Sequence, residues 1–198
     1  MANTFAPFGF SQNRGTGSAP TYEQVPAPVA YNTANIFFGD PVFRLSDGSV
    51  AGVTTGPGPG TGVLAGIFVG CKYLSVSQKR TVWSNFWIGS DVASGNTVEA
   101  YLINDPNAQF LVQSSGGSGI TQAMVGQLVQ FAYGTGNTAN GISGAYIDAT
   151  TVGTTSTLPF RIMSLTFPVG SSTALTGQYN YAIVAFNNVE TKVVTAAA

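Results

Sequence analysis

The chain is poor in the residue types that perform chemistry. It has no histidine and one cysteine, and charged residues make up 8% of its 198 positions, against about 25% in an average soluble protein. The lack of histidine excludes Ser-His-Asp and Cys-His catalytic arrangements, and any metal site built on imidazole. The composition therefore predicts a protein that is not an enzyme and that uses no cofactor or metal ion.

The remaining candidates for chemistry are better explained by structure. A glycosidase needs two converging carboxylates, but Asp40, Asp47 and Asp105 stand beside Gly or Pro, where Asp usually bonds to backbone amides in turns. Cys71 has no partner within the chain, and we interpret it as a small buried hydrophobe. The glycine-rich segment 56–62 lacks the lysine of a phosphate-binding loop.

Charge and hydropathy also limit the partners. The seven basic residues are spread along a chain of net charge −1, so we expect no nucleic-acid partner. The longest apolar stretch, residues 62–71, is too short to span a bilayer, and we expect no membrane partner. The first ten residues lack the pattern of a signal peptide, which favours folding in the cytoplasm. A net charge near zero gives little repulsion between copies, so we expect an oligomer or a larger assembly.

Short segments rich in β-forming residues recur along the chain, separated by Gly and Pro, and no sustained helical periodicity is present. This pattern predicts an all-β fold, a β-barrel or β-sandwich of one or two β units. A hairpin is expected over residues 40–53, with Asp47-Gly48 at its turn. Further strands are expected within residues 62–76, 80–88, 97–103, 109–113, 127–133, 144–148, 158–167 and 178–186.

Residues 1–35 have a different character, with four prolines that oppose regular structure. The segment is nevertheless rich in aromatic residues, which are scarce in disordered chains. We predict an extended N-terminal arm over 1–35 that reaches a neighbouring subunit, followed by a β-domain over 36–198. The alternative is an arm that folds back on its own subunit, and the loop near 114–119 either divides the β-domain or lies within it. The expected contact residues of the arm are Phe5, Phe8, Phe10, Tyr22 and Tyr31.

Bulky residues on both faces of segment 80–88 predict burial on both faces, in a protein interior or at a subunit contact. Trp83 and Trp87 lie on the same face of this predicted strand. They could instead form, with Tyr73, a platform on which a sugar stacks, although packing is the simpler interpretation.

An aromatic, proline-punctuated arm followed by a charge-poor β-domain resembles the capsid decoration, or cement, proteins of tailed bacteriophages. The hairpin over 41–53 is similar to hairpins in those small β-barrels, and segments 126–133, 158–164 and 181–188 look like stretches of phage structural proteins. The resemblance implies a homotrimer on the exterior of an icosahedral virion, assembled in the host cytoplasm. Its partners would be the major capsid protein and itself, and it would stabilise the shell by bridging neighbouring capsomers.

Two other functions fit the same composition. One is a different virion component, such as a tail tube or head fibre. The other is a carbohydrate-binding β-sandwich that uses Trp83 and Trp87.

Overall fold

The computed structural model describes residues 3–16, 23–31, 33–52, 63–166 and 177–192. Within these ranges the protein is all-β, and its twelve strands form two six-stranded sheets. The strands are β1 (Ser11–Arg14), β2 (Val25–Val29), β3 (Pro41–Arg44), β4 (Val50–Ala51), β5 (Leu64–Ser75), β6 (Arg80–Ser84), β7 (Val98–Ile103), β8 (Gln109–Ser115), β9 (Leu128–Asn137), β10 (Ile142–Gly153), β11 (Phe160–Leu165) and β12 (Tyr181–Phe186).

Each sheet closes on itself into a barrel of five strands. In the first barrel the order is β3-β4-β2-β7-β5, and β5 pairs back with β3; in the second it is β8-β10-β9-β11-β12, and β12 pairs back with β8. Each barrel carries one additional strand, β6 beside β5 in the first and β1 beside β8 in the second. The predicted β-barrel class is therefore confirmed, in the form of two barrels. The chain passes from the first barrel to the second between β7 and β8, whereas residues 114–119 comprise the end of β8 and the loop after it, inside the second.

The predicted strands from residue 40 onward correspond to β3 to β12, with shifted ends. Within the predicted segment 62–76, Leu64–Ser75 form one continuous strand, β5, with a bulge between Phe68 and Gly70. Residues 122–124 form a 3-10 turn. The glycine-rich segment 56–62 lies outside the described residues, as does Val53 at the end of the predicted hairpin.

The described parts of the predicted arm contribute strands to the barrels. β1 pairs with β8, and β2 pairs with β7 along its whole length. In β2, Ala27 and Val29 are buried while Pro26 and Pro28 are exposed, so the alternation expected of a half-buried strand is kept. The prolines are tolerated because the residues between them supply the amides of the ladder. This is the arrangement of the alternative interpretation, in which the segment folds back on its own subunit.

The hydrophobic core of the second barrel extends onto strands of the first barrel, which also has a buried core of its own. The core of the second barrel includes Phe43, Leu64 and Ile67, which belong to strands of the first barrel. The ring of Phe43 lies 6.1 Å from that of Phe131 in β9. Short backbone bridges also cross the junction, between Phe38 and Ile142 and between Leu64 and Val189. Side-chain packing and backbone bridges thus join the two barrels at this junction.

Asp40 is buried at this junction, with 4% of its surface exposed. One carboxylate oxygen accepts a hydrogen bond from the Phe37 amide at 2.7 Å, and the other accepts one from the Ser143 hydroxyl of the second barrel. The Tyr133 hydroxyl donates to the carbonyl oxygen of Pro41, next along the chain. Burial raises the pKa of Asp40 to about 6, although both hydrogen bonds act in the opposite direction.

We expect Phe10→Ala to lower the free energy of unfolding by about 3–5 kcal/mol, the usual effect of removing a buried Phe side chain. Phe10 is 1% exposed, and its ring lies 4.5 Å from that of Phe160 inside the second barrel. Phe5→Ala is the control, because Phe5 is 41% exposed and its loss should have an effect of about 1 kcal/mol or less. Urea denaturation measures both, and equal effects would contradict the buried position of Phe10.

We expect Asp40→Asn to change how stability depends on pH. Folding raises the pKa of Asp40 from 3.8 to about 6. The free energy of unfolding is therefore highest below pH 3.8, where the carboxyl is protonated in both states, and it falls as the pH rises through 6. The shift corresponds to about 3 kcal/mol. From pH 4 to pH 7 the variant should therefore gain about that much relative to the wild type.

Asp47→Asn is the matched control. Hydrogen bonds from Ser49 lower the pKa of the exposed Asp47. The stability that Asp47 contributes is therefore lost as the pH falls, which is opposite to the trend for Asp40. Urea denaturation at several pH values measures both variants. If the difference in unfolding free energy between Asp40→Asn and the wild type does not change with pH, the raised pKa of the buried Asp40 is contradicted.

Candidate functional site

The structure separates the four predicted contact residues of the arm that it describes. Phe10 is buried in the core of the second barrel. Phe8 stacks on Tyr181 at 5.9 Å, and Phe5 meets Tyr146 edge to face at 5.2 Å. Phe5 and Tyr31 keep large exposed surfaces, 41% and 51%. Tyr22 lies outside the described residues.

The segment that contains Phe5 is held against its own barrel by a buried side chain. The carboxamide of Gln113 in β8 accepts a hydrogen bond from the Ala6 amide at 2.9 Å and donates one to the Thr4 carbonyl at 2.8 Å. Gln113 has no exposed surface, so its polar atoms depend on these bonds. The first residues of the described chain are therefore part of the surface of the second barrel.

The two tryptophans have opposite environments. Trp87 is fully buried in the first barrel, where it packs edge to face on Tyr73 at 5.1 Å, and its indole N–H donates to the Thr33 hydroxyl at 3.1 Å. Trp83 is 66% exposed. The two do not form a common platform, because the chain bends at Asn85 and Phe86 and the alternation of a strand is lost between them.

Trp83 instead pairs with Tyr101. The two rings are nearly parallel, at 5°, with their centres 5.6 Å apart. Trp83 is in β6 and Tyr101 is in β7, and the strand between them, β5, has Gly70 opposite Tyr101, where no side chain is present. The ammonium of Lys72 lies 5.1 Å from the centre of the Trp83 ring. These contacts restrict the orientation of an exposed indole.

Tyr101 is itself fixed by a hydrogen bond. Its hydroxyl donates to the Glu99 carboxylate at 2.8 Å. Loss of solvation and this bond raise the pKa of Tyr101 to about 12, so the phenol stays protonated at neutral pH. Trp83, Tyr101, Lys72 and Glu99 thus form a connected group on the outer wall of the first barrel, which we call the aromatic platform.

The aromatic platform borders an open cleft of about 340 Å³. Trp83 and Tyr101 line the cleft together with Gln24, Ser84 and Asn85. A second concavity, of about 490 Å³, lies on the same wall and is lined by Pro26, Pro28, Lys72, Leu74 and Glu99, among others. The charged members of the platform line the second concavity, and the cleft has only uncharged polar groups.

The carboxylates and the thiol considered from the sequence have structural partners. Asp47 accepts hydrogen bonds from Ser49, and Asp105 accepts one from the Asn107 amide, both within turns. The Cys71 side chain is buried, and burial raises the pKa of its thiol to about 12. The described residues include no group of three or more His, Cys, Asp or Glu placed to hold a metal ion. No helix in the described ranges has the length and apolar character needed to cross a membrane.

We expect the two tryptophans to be distinguishable by fluorescence. In Trp83→Phe the remaining indole is the buried Trp87, so the emission should shift to shorter wavelength and acrylamide should quench it less than in the wild type. Steady-state emission and quenching titrations measure this. Quenching of the variant equal to that of the wild type would contradict the exposed position of Trp83.

Comparison with known proteins adds nothing to the geometry described above. No protein-family model, no curated protein and no solved structure matches the chain.

Proposed function

We propose that the protein is a virion structural protein that binds the outer surface of an icosahedral phage capsid and stabilises it by bridging neighbouring capsomers. Its partners would be the major capsid protein and further copies of itself in a homotrimer. The role is mechanical and not enzymatic. The proposal starts from the sequence resemblance and is supported by the distribution of exposed apolar side chains on the two barrels.

The observation that carries the proposal is that each barrel has its own exposed large hydrophobic residues. The first barrel exposes Leu74 and Val76 at the end of β5, by 51% and 54%. The second barrel exposes Met163 in β11 by 41%. A protein that bridges two neighbours needs two contact surfaces, and burial of about 100 Å² of apolar area at each contributes about 2.5 kcal/mol. Repetition of such contacts around a symmetric shell multiplies their effect.

The junction between the barrels suits this role. A bridge transmits force only if its two ends are rigidly connected, and here side chains of the first barrel pack into the core of the second. Arg44 of β3 also forms an ion pair with Glu190 at 2.7 Å, although an exposed pair adds little stability. Contacts that depend on apolar area and not on charge would be insensitive to salt.

We expect the full-length protein to bind capsids that have been depleted of it, to saturate, and to raise the temperature at which they release DNA. The double variant Leu74→Ser, Val76→Ser should bind at least about tenfold more weakly, because two apolar contacts are lost. Met163→Ser should also weaken binding, because the proposal places the second capsid contact on the second barrel. Co-sedimentation and a dye assay of DNA release measure these effects.

Ile88→Ser is the control, because Ile88 is 37% exposed but lies outside both sets of residues and outside the predicted contacts of the arm. Failure of the wild-type protein to bind capsids would overturn the proposal. Assembly of the purified protein into rings or tubes would favour a tail tube instead.

A further inference from the structure

We propose that the aromatic platform and the cleft beside it form a binding site for a neutral saccharide. This inference stands on the geometry of the first barrel and does not depend on the proposed function. It differs from the sugar platform considered from the sequence, because Trp87 is buried and Tyr101 and Gln24 take part instead.

The stacking surface is already in place. The apolar face of a pyranose ring packs against an aromatic ring, and Trp83 offers 66% of its surface to solvent. Tyr101 and Lys72 restrict the indole before any ligand arrives. A preordered side chain loses less conformational entropy on binding, and this favours affinity for a small ligand.

The cleft also offers hydrogen-bonding groups suited to sugar hydroxyls. Among the described residues, the Gln24 carboxamide has no hydrogen-bond partner, and the Ser84 hydroxyl accepts a bond from the Phe86 amide while its own proton has no acceptor. The Asn85 side chain donates to the Asn140 carbonyl at 2.7 Å, which leaves its oxygen available. A few polar groups around an aromatic surface are what orient a small ligand in a pocket.

The charges indicate a neutral sugar. Neither Lys72 nor Glu99 lines the cleft. The ammonium of Lys72 lies over the indole, and the carboxylate of Glu99 accepts the Tyr101 hydroxyl. An anionic saccharide would need a basic group in the cleft to replace its lost hydration. The ligand class is therefore a neutral hexose or N-acetylhexosamine oligosaccharide.

The test applies the full-length protein to an array of neutral hexose and N-acetylhexosamine oligosaccharides, and titrates the binders by isothermal titration calorimetry for every variant and by tryptophan fluorescence for the wild type. We expect at least one saccharide to bind with a blue shift of the emission, because the second indole, Trp87, is buried. Trp83→Ala and Tyr101→Ala should each weaken binding at least tenfold, and Trp83→Phe should keep most of it. Gln24→Ala should weaken it less.

Tyr31→Ala is the aromatic control and should bind as the wild type does, and circular dichroism should show that every variant is folded. The absence of binding to any saccharide on the array would overturn the proposal, as would binding that Trp83→Ala retains. Weaker co-sedimentation of Trp83→Ala with capsids, without saccharide binding by the wild type, would overturn it in favour of a protein contact. Capsid binding that fails while saccharide binding succeeds would reject only the proposed function.

Discussion

The packing of first-barrel side chains into the core of the second barrel is the contact on which the rest of the structure depends. Phe43 and Ile67 belong to the ladder that closes the first barrel, yet they pack with Phe131 and its neighbours in the second. A small five-stranded barrel buries little apolar area by itself, and the packing across the junction adds to the separate core of each barrel. The bridging role that we propose relies on the same contact, because it fixes the two exposed surfaces relative to each other.

Much of the second half of the fold could be predicted from the sequence, because its signals are local. Alternating apolar residues and glycine-rich turns marked β7 to β12 to within a few residues. The strands near the N-terminus could not be predicted in the same way. Pro26 and Pro28 indicate irregular structure, and only their partner β7 makes them compatible with a barrel. Closure of two barrels depends on pairings between distant segments, which local patterns do not contain.

The candidate site, too, could be predicted from the sequence only in part. Tyr101 faces outward, half exposed, because it alternates with the buried Ala100 and Leu102. This alternation is visible in the sequence. The separation of Trp83 from Trp87 depends on a bend after β6 that the run of β-forming residues conceals. The stacking of Trp83 on Tyr101 spans three strands, and the absence of a side chain at Gly70 becomes meaningful only when those strands are side by side.

The place of β1 also has a consequence for synthesis on the ribosome. Residues 11–14 are synthesised before the other described strands, but their partner β8 begins at residue 109 and the barrel closes only when β12 pairs with β8. The strands of the first barrel, from residue 25 to residue 103, are complete well before that. The first barrel can therefore form while Phe10 still lacks its binding pocket, since domains generally fold as they emerge. The first of the described strands to be synthesised is thus among the last to reach its final position.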